Sequence, residues 1–276
     1  MLHLDPDSTY FAGDWHGNTR WAVYAASHVA RDNATNPRSS SPATILHLGD
    51  FAFDFNAEYI DTLTEALAHS DVRLFFLRGN HDDPTKLDLT ASSPSALSSH
   101  IYFLPDTYRF LIGEHRVLVL GGAGSIDRSH RVEGVSWWPN ERLSVEAAAK
   151  AVSGGVADVV LSHDAPAGTP LVLDTDFGAF FERRDPGVLA WCAEHAERVA
   201  SVVRGVDARV VVHGHHHVRA THVLPHARRP VAVCGLSCDG TALEDNVVRF
   251  RGGCPILCVR GFGLQVVRES VGVRHG

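Results

Sequence analysis

The sequence lacks the long apolar stretches of a membrane protein. Hydrophobic residues make up 45% of its 276 residues, but no run of them approaches the roughly 20 residues that a membrane-spanning helix requires. The opening residues, Met-Leu-His-Leu-Asp-Pro-Asp, lack the positive charge and the apolar stretch of a secretory signal. We therefore expect no contact with a membrane and a cytoplasmic location.

A strongly basic surface is lacking as well. Charged residues are 21% of the chain and the formal net charge is −7, which gives no general attraction to nucleic acid or anionic lipid. The pairs Arg183-Arg184 and Arg228-Arg229 are isolated, and no DNA-binding module is evident. An anionic substrate must therefore be attracted by a local positive feature, for which bound metal ions are the obvious candidate.

Cysteines are few and odd in number. The five cysteines cannot form a fully paired disulfide framework. Cys234 with Cys238 and Cys254 with Cys258 are each spaced as C-x3-C, whereas structural zinc sites usually have tighter, turn-like spacings. We interpret these cysteines as ordinary buried thiols and keep a zinc site as the disfavoured alternative.

Short apolar runs alternate with longer helix-like segments through most of the chain. Strand–helix–strand alternation predicts an α/β layered core. No linker forces a domain boundary, so we expect one domain over residues 1–276. The predicted strands are Thr9–Ala12, Ala43–Leu48, Val72–Leu77, Val156–Leu161 and Arg209–Val212, and the predicted helices are Thr19–Arg31, Ala57–His69 and Val188–Arg204.

The C-terminal part has a different pattern. Five short runs separated by turn residues predict antiparallel strands over residues 218–268, arranged as a meander that closes one side of the fold. The runs are Val218–Leu224, Pro230–Cys234, Asn246–Phe250, Ile256–Val259 and Leu264–Val267. Residues 33–42, 90–99 and 164–187 are rich in Ser, Pro, Gly or Asp and are predicted to be loops.

Residues able to bind metals follow five of the predicted strands. Ligands gather at the carboxyl ends of the strands in α/β sheets, so the five clusters are expected to converge on one site. The clusters contain Asp14 and His16; Asp50; Asn80, His81 and Asp82; His163 and Asp164; and four of the eighteen histidines at positions 213, 215, 216 and 217.

The chemistry of these side chains is consistent with divalent transition metals. Carboxylates, imidazoles and an amide oxygen, without a thiolate, favour Mn, Fe, Zn or similar ions over Ca or Cu(I). In an extended segment residues two apart face the same side, which would bring His16 to Asp14 and His217 to His215 and turn His216 away. His213 stays an alternative ligand, because a glycine follows it. Glycines 13, 49, 79 and 214 are expected where the backbone turns tightly or approaches an ion.

In this order, Gly-Asp14-Trp-His16-Gly, Gly-Asp50, Gly-Asn80-His81-Asp82, His163 and Gly-His215-His216-His217 resemble the motifs of calcineurin-like metallophosphoesterases. The resemblance spans residues 13–217 and implies an α/β fold of two facing mixed β-sheets flanked by helices. It also implies two divalent metal ions, with manganese favoured over iron, zinc or nickel. The implied ligands of the first ion are Asp14, His16, Asp50 and His217, and those of the second are Asp50, Asn80, His163 and His215.

The same resemblance implies catalytic roles and a substrate class. His81 would protonate or steady the leaving group, and Asp82 would orient His81. We expect hydrolysis of phosphomonoesters or phosphodiesters, in small or nucleotide-like substrates, by a hydroxide that bridges the metals. The motif Gly-Asp50-Phe-Ala-Phe lacks the Asp-Arg-Gly extension of protein phosphatases, so a phosphoprotein substrate is less supported.

Two other functions are kept as alternatives. A nuclease would use the same two-metal mechanism, but the absence of a basic stripe disfavours it. A binding scaffold without activity is disfavoured because the full catalytic set is present. The sequence carries no signal for the oligomeric state.

One further segment resembles a subgroup of bacterial and phage members of the family. It runs from the glycine-rich residues 121–131 to the tryptophan pair at positions 137 and 138. Four of its side chains either border the substrate cleft or serve only in packing and solvation, and the sequence does not separate these interpretations. They are Arg128, Arg131, Trp137 and Trp138.

Overall fold

A computed structural model describes residues 1–39, 41–170, 175–225 and 229–250. Within these ranges no helix is both long and apolar enough to cross a membrane. The strands are β1 (His3–Leu4), β2 (Thr9–Ala12), β3 (Ala43–His47), β4 (Val72–Phe76), β5 (Ser95–Ala96), β6 (Ile101–Phe103), β7 (Arg109–Ile112), β8 (His115–Leu120), β9 (Val159–Ser162), β10 (Val210–His213), β11 (Ala220–Leu224), β12 (Val231–Gly235) and β13 (Val247–Arg249). The α-helices are α1 (Thr19–Ala34), α2 (Ala57–His69), α3 (Val145–Ser153), α4 (Thr175–Arg184), α5 (Val188–Gly205) and α6 (Leu243–Asn246).

The described strands form two mixed sheets. A seven-stranded sheet has the order β1-β7-β8-β9-β10-β12-β11, and a six-stranded sheet has the order β13-β2-β3-β4-β6-β5. The centre of each sheet is parallel, through β8, β9, β10 and β12 in the first and β2, β3, β4 and β6 in the second. Antiparallel strands lie outside both centres. The predicted α/β fold with two mixed sheets is confirmed.

The alternation of side chains along the central strands explains the layered packing. Phe11 of β2 and Leu46 of β3 belong to the core between the two sheets. Their neighbours Tyr10 and Ile45 belong to a second core beneath α1 and α2. Successive side chains of a strand point to opposite faces, so a strand buried on both faces is apolar throughout. Each large side chain buried in this way stabilises the fold by about 1.5–3 kcal/mol.

The seven-stranded sheet is covered on its outer face by α3 and α5. Val211 and Val233 of the sheet pack there with Val199 and Val203 of α5. Helices thus flank both sheets, and the open edges at the carboxyl ends of the parallel strands are left for the loops. This arrangement places the polar segments that follow the strands on one rim of the sandwich.

Two predictions about local structure were wrong. Among the described residues after 218, β11 and β12 pair antiparallel as predicted, but the strands do not form one meander, because β12 runs parallel to β10 and β13 joins β2 in the other sheet. The segment 164–187, predicted to be a loop, contains α4. The predicted runs Ile256–Val259 and Leu264–Val267, with Cys254 and Cys258, lie outside the described residues.

Candidate metal centre

Five parallel strands end at the same place. The segments after β2, β3 and β4 carry Asp14, Asp50 and Asn80 from the six-stranded sheet. The segments after β9 and β10 carry His163, and His215 with His217, from the seven-stranded sheet. Because the parallel strands of both sheets end on one rim, side chains from distant parts of the chain meet there.

The predicted ligands form two adjacent groups. Asp14, His16 and His217 offer ligand atoms that all lie within 4.8 Å of one another. Asp50, His163 and His215 form a second group by the same measure. The mixture of carboxylate and imidazole is the donor set that divalent transition metals prefer.

Asp50 lies between the two groups, and Asn80 extends the second. The Oδ2 atom of Asp50 is 3.7 Å from Nε2 of His16, and its Oδ1 atom is 3.3 Å from Nε2 of His163. Nε2 of His163 is also 2.9 Å from Oδ1 of Asn80. One carboxylate therefore faces both groups of ligands.

The backbone at the histidine cluster is not extended as expected. His215 and His217 have φ angles of 64° and 54°, in the left-handed region that non-glycine residues rarely adopt. His215 consequently turns to the group of Asp50, whereas His217 turns to that of Asp14. The expectation that both face the same side was wrong, because it assumed a strand. His16 and Asp50 also have positive φ, at 49° and 54°.

Glycines allow the close approach that was predicted at these turns. A Cβ atom on Gly49 would lie 2.4 Å from Nδ1 of His163, and one on Gly214 would lie 2.4 Å from Oδ2 of Asp14. At Gly79 the same atom would be 2.0 Å from Oδ1 of Asp50. These positions cannot hold a side chain without moving a proposed ligand.

Hydrogen bonds behind the site orient the imidazoles. Nδ1 of His16 is 2.9 Å from Oδ1 of Asp239, which follows β12, and Nδ1 of His163 is 2.7 Å from the carbonyl oxygen of Leu48. Each Nδ1 donates to its oxygen and leaves Nε2 directed into the site. Asp239 was missed in the sequence because no metal-binding motif surrounds it, although β12 is parallel to β10 and ends at the same rim.

A second set of hydrogen bonds orients Asn80. Its Nδ2 donates to Oγ of Ser125 at 3.0 Å, and the Ser125 hydroxyl in turn donates to the carboxylate of Glu141. The amide nitrogen is thereby held away from the site, and Oδ1 is the atom presented to His163. Ser125 follows β8, which runs parallel to β9. This pairing could have indicated that Ser125 lies at the same rim as His163.

Burial and charge control protonation here. Burial alone would raise the pKa of the Asp50 carboxyl, but the charges of His163 and His81 hold it well below its usual value. Burial opposes a charge on the imidazoles, yet Asp50 raises the pKa of both His163 and His16 to about 9. The interaction with the Asp14 carboxylate, 3.7 Å from Nε2 of His217, likewise outweighs burial and raises the pKa of His217 to about 10. The carboxylates thus demand positive charge, which protons or metal ions can supply.

His81 and Asp82 lie beside these groups and have different hydrogen-bond partners. The backbone N–H of His81 donates to Oδ1 of Asp50 at 2.9 Å, and Nε2 of its ring is 2.6 Å from Nη2 of Arg131. The role of Asp82 in orienting that ring stays a prediction. Its two carboxylate oxygens accept from the backbone N–H groups of Gly79 at 2.7 Å and Ala52 at 2.8 Å. Burial, followed by the charge of Asp50, raises the pKa of Asp82 to about 7.

The other histidines of the cluster have separate partners. His216 Nε2 is 2.9 Å from Oδ1 of Asp164, whose Oδ2 is 2.8 Å from Nδ1 of His195. Burial lowers the pKa of His213 to about 4, and Nδ1 of its ring lies 2.9 Å from the carbonyl oxygen of Gly214. Burial also lowers the pKa of His215 well below its usual value, which keeps this imidazole neutral. His215, His216 and Asp164 form a third group with ligand atoms within 4.8 Å of one another.

The four side chains of the segment after β8 fall into different environments. Arg131 touches His81, whereas Arg128 makes two hydrogen bonds to Asp185. Trp138 is buried, and Trp137 packs with its ring centroid 6.4 Å from that of Trp191. Of the four, only Arg131 contacts a predicted catalytic residue in the described part of the chain.

Comparison with known proteins identifies the family. A sequence model of the calcineurin-like phosphoesterases matches residues 8–219. The chain therefore belongs to the calcineurin-like phosphoesterase family. Family membership and the Asp/His groups together indicate a centre that binds divalent metal ions.

The remaining comparisons are more distant. The chain is similar in structure to the Thermus thermophilus sulfate thiohydrolase SoxB in complex with glycerol, with 16% sequence identity and a TM-score of 0.38. That match covers 78% of this chain and 38% of the SoxB chain, so this chain spans well under half of that protein. No curated protein sequence matches the chain.

Proposed function

We propose that the chain is a binuclear phosphoesterase that hydrolyses phosphomonoesters or phosphodiesters of small or nucleotide-like molecules. The observation that carries this proposal is the position of Asp50, whose two oxygens face His163 and His16 in the two ligand groups. A carboxylate in this position can bridge two cations. Such a pair suits a phosphoryl group, which has several oxygens over which negative charge is spread.

The two ions would be held by the sets that the motifs predict. The first set is Asp14, His16, Asp50 and His217, and the second is Asp50, Asn80, His163 and His215. Manganese is the favoured ion, with iron, zinc and nickel as alternatives. When bound, divalent cations supply Lewis acidity that offsets phosphoryl charge and activates water.

The protein's own residues would position the ester and assist its cleavage. Asp14 and Asp50 are almost fully buried, so their charges strengthen the binding of cations at the site. The His81 side chain is 29% exposed and would stabilise or protonate the departing oxygen. Phe53, 47% exposed, has its ring centroid 5.4 Å from that of His81 and provides an apolar edge for the leaving group.

Metal analysis and a substrate panel test this function together. The purified protein, treated with chelator and reloaded with Mn, Zn, Ni or Mg, is assayed against phosphomonoesters, nitrophenyl diesters, cyclic nucleotides and dinucleoside polyphosphates. We expect two ions per chain and metal-dependent release of phosphate or alcohol. Single-stranded and double-stranded nucleic acids form a further arm, in which cleavage faster than that of every small ester would identify a nuclease instead. Two bound ions without turnover of any substrate would contradict an esterase.

A further inference from the structure

Arg131 has an unusual environment for an arginine. Its side chain is 8% exposed, and Nη2 makes an ion pair with Oδ1 of Asp127 at 2.7 Å. The same Nη2 lies 2.6 Å from Nε2 of His81. Nη1 is buried and has no hydrogen-bond partner within the described part of the chain. A buried cationic donor without a partner is unfavourable, so a ligand oxygen that accepts from it would be bound with a gain in free energy.

The segment that carries Arg131 is held in place from behind. Arg128 bonds to Asp185 at the end of α4, and its guanidinium carbon lies 4.7 Å from the ring centroid of Trp191 in α5. The ring of His130 packs against Phe181 of α4 with centroids 5.4 Å apart. The guanidinium of Arg131 is therefore positioned at the site before any ligand binds, which reduces the entropy lost on binding.

The position of the guanidinium suits a phosphoryl oxygen. His81 lies between Arg131 and Asp50, with Nε2 of its ring 4.0 Å from Oδ2 of Asp50. The Arg131 guanidinium is therefore one imidazole ring away from Asp50, beside the proposed leaving-group residue and next to the groups that would hold the metals. Guanidinium groups form short charge-assisted hydrogen bonds with phosphate oxygens and keep their charge at every physiological pH.

We propose that Arg131 is a substrate-binding residue, whose Nη1 donates to a non-bridging oxygen of the phosphoryl group. This role rests on the proposed function, because it requires a phosphate ester at the metal centre. The unpaired nitrogen distinguishes Arg131 from Arg128, whose guanidinium is already bonded to Asp185.

The binding of inorganic phosphate tests the proposal without relying on turnover. Wild-type protein, Arg131→Ala and Arg131→Lys are loaded with Mn, their metal content is measured, and phosphate is titrated by calorimetry at constant ionic strength. Arg116→Ala is the matched control, since Arg116 also pairs with an aspartate, Asp158, but lies in the first half of β8 and is 53% exposed.

We expect Arg131→Ala to bind phosphate at least about tenfold more weakly at unchanged metal content, as the loss of a charged hydrogen bond predicts. Arg131→Lys should fall between Ala and wild type, because lysine keeps the charge and loses the planar fork. Arg116→Ala should match wild type. If Arg131→Ala loses metal, Arg131→Gln is judged in its place by the same criterion.

Three results would overturn the role of Arg131. The first is that the Arg131 variants bind phosphate with an affinity within about twofold of wild type. The second is that Arg116→Ala loses as much phosphate affinity as Arg131→Ala, and the third is that the wild type does not bind phosphate. A wild type that binds phosphate but hydrolyses no ester would contradict the proposed function instead, so the two failures are distinguishable.

Discussion

Asp239 accepts a hydrogen bond from Nδ1 of His16 at 2.9 Å, although the two residues are 223 positions apart in sequence. The second oxygen of Asp239 accepts from the side-chain amide of Asn18 at 2.8 Å, which fixes the carboxylate. Nε2 of His16 is thereby directed toward Asp50, 3.7 Å from its Oδ2 atom.

Removing Asp239 should weaken metal binding without removing a proposed ligand. In Asp239→Ala the His16 ring loses the acceptor that orients it, so we expect a 10- to 100-fold loss of metal affinity, the usual range for such partners. Titration of the metal-free protein with Mn measures the effect. Asp61→Ala, an exposed carboxylate on α2, controls for the change in net charge, and equal affinities in the two variants would show that Asp239 does not act on His16.

Asp50→Asn should affect both proposed ions at once. The amide keeps the shape of the side chain but loses the negative charge that faces His163 and His16. We expect both stoichiometric metal equivalents to be weakened and turnover to be abolished, as measured by elemental analysis and nitrophenyl ester hydrolysis. Full activity with two bound ions would contradict the proposal that Asp50 bridges the ions. Loss of only one ion would show that Asp50 binds an ion in only one of the two ligand groups.

His81→Ala should separate catalysis from metal binding. The ring lies at the site, but the motif assigns it to the leaving group, so metal content should stay unchanged. Without a proton donor or stabilising group, esters with basic leaving groups should lose more rate than nitrophenyl esters. Measuring kcat for an alkyl and a nitrophenyl phosphate decides the question, and equal losses for the two would argue against a role at the leaving group.

His47 should make the metal-free protein sensitive to acid. It is buried beside Trp15 and Phe51, with ring centroids 4.6 Å and 5.4 Å away, and burial lowers its pKa from 6.5 to about 3. Because the folded-state pKa lies below the unfolded one, the native state favours the neutral ring. Its contribution to stability is complete above pH 6.5 and is lost as the pH falls toward 3, by up to about 3 kcal/mol at pH 4.

A replacement at His47 checks this assignment. His47→Leu keeps an apolar contact surface and cannot titrate, and both ring nitrogens of His47 are buried without partners in the described chain. The variant should therefore equal or exceed wild-type stability at pH 7.5 and lose less on acidification. Urea unfolding of metal-free proteins between pH 7.5 and 4 provides the comparison, with His69→Leu on the exposed end of α2 as control. Parallel pH profiles for wild type and His47→Leu would exclude His47 as the cause.

Local pattern predicted much of the fold. The strand Thr9–Ala12 and the helix Ala57–His69 have the predicted bounds, because their apolar spacing reports directly which faces are buried. The partner of a strand is not a local property. β12 and β13 have similar apolar runs, yet β12 pairs with β10 and β13 with β2, which depends on packing between distant segments.

For the candidate site, too, the residues within local motifs were predictable from the sequence and their distant partners were not. Residues within strand-end motifs, such as Asp14 and Asn80, were located from their neighbours in sequence. Asp239 and Ser125 act on His16 and Asn80 through side chains that no motif marks, and they reach the site only because their strands are parallel to the central ones. The partners of Asp82 were also beyond the sequence, since they are backbone amides.

The division of the proposed ligands between the two sheets has a consequence for how the protein unfolds. Asp14, Asp50 and Asn80 follow strands of one sheet, and His163, His215 and His217 follow strands of the other. Neither sheet carries all the ligands of the proposed ions. Ions bound by residues from both sheets would cross-link the two sheets, and they would bind the unfolded chain far more weakly than the folded one. Their binding free energy would add to the cohesion between the sheets in proportion to the logarithm of metal concentration, and the two sheets would separate only when the ions leave.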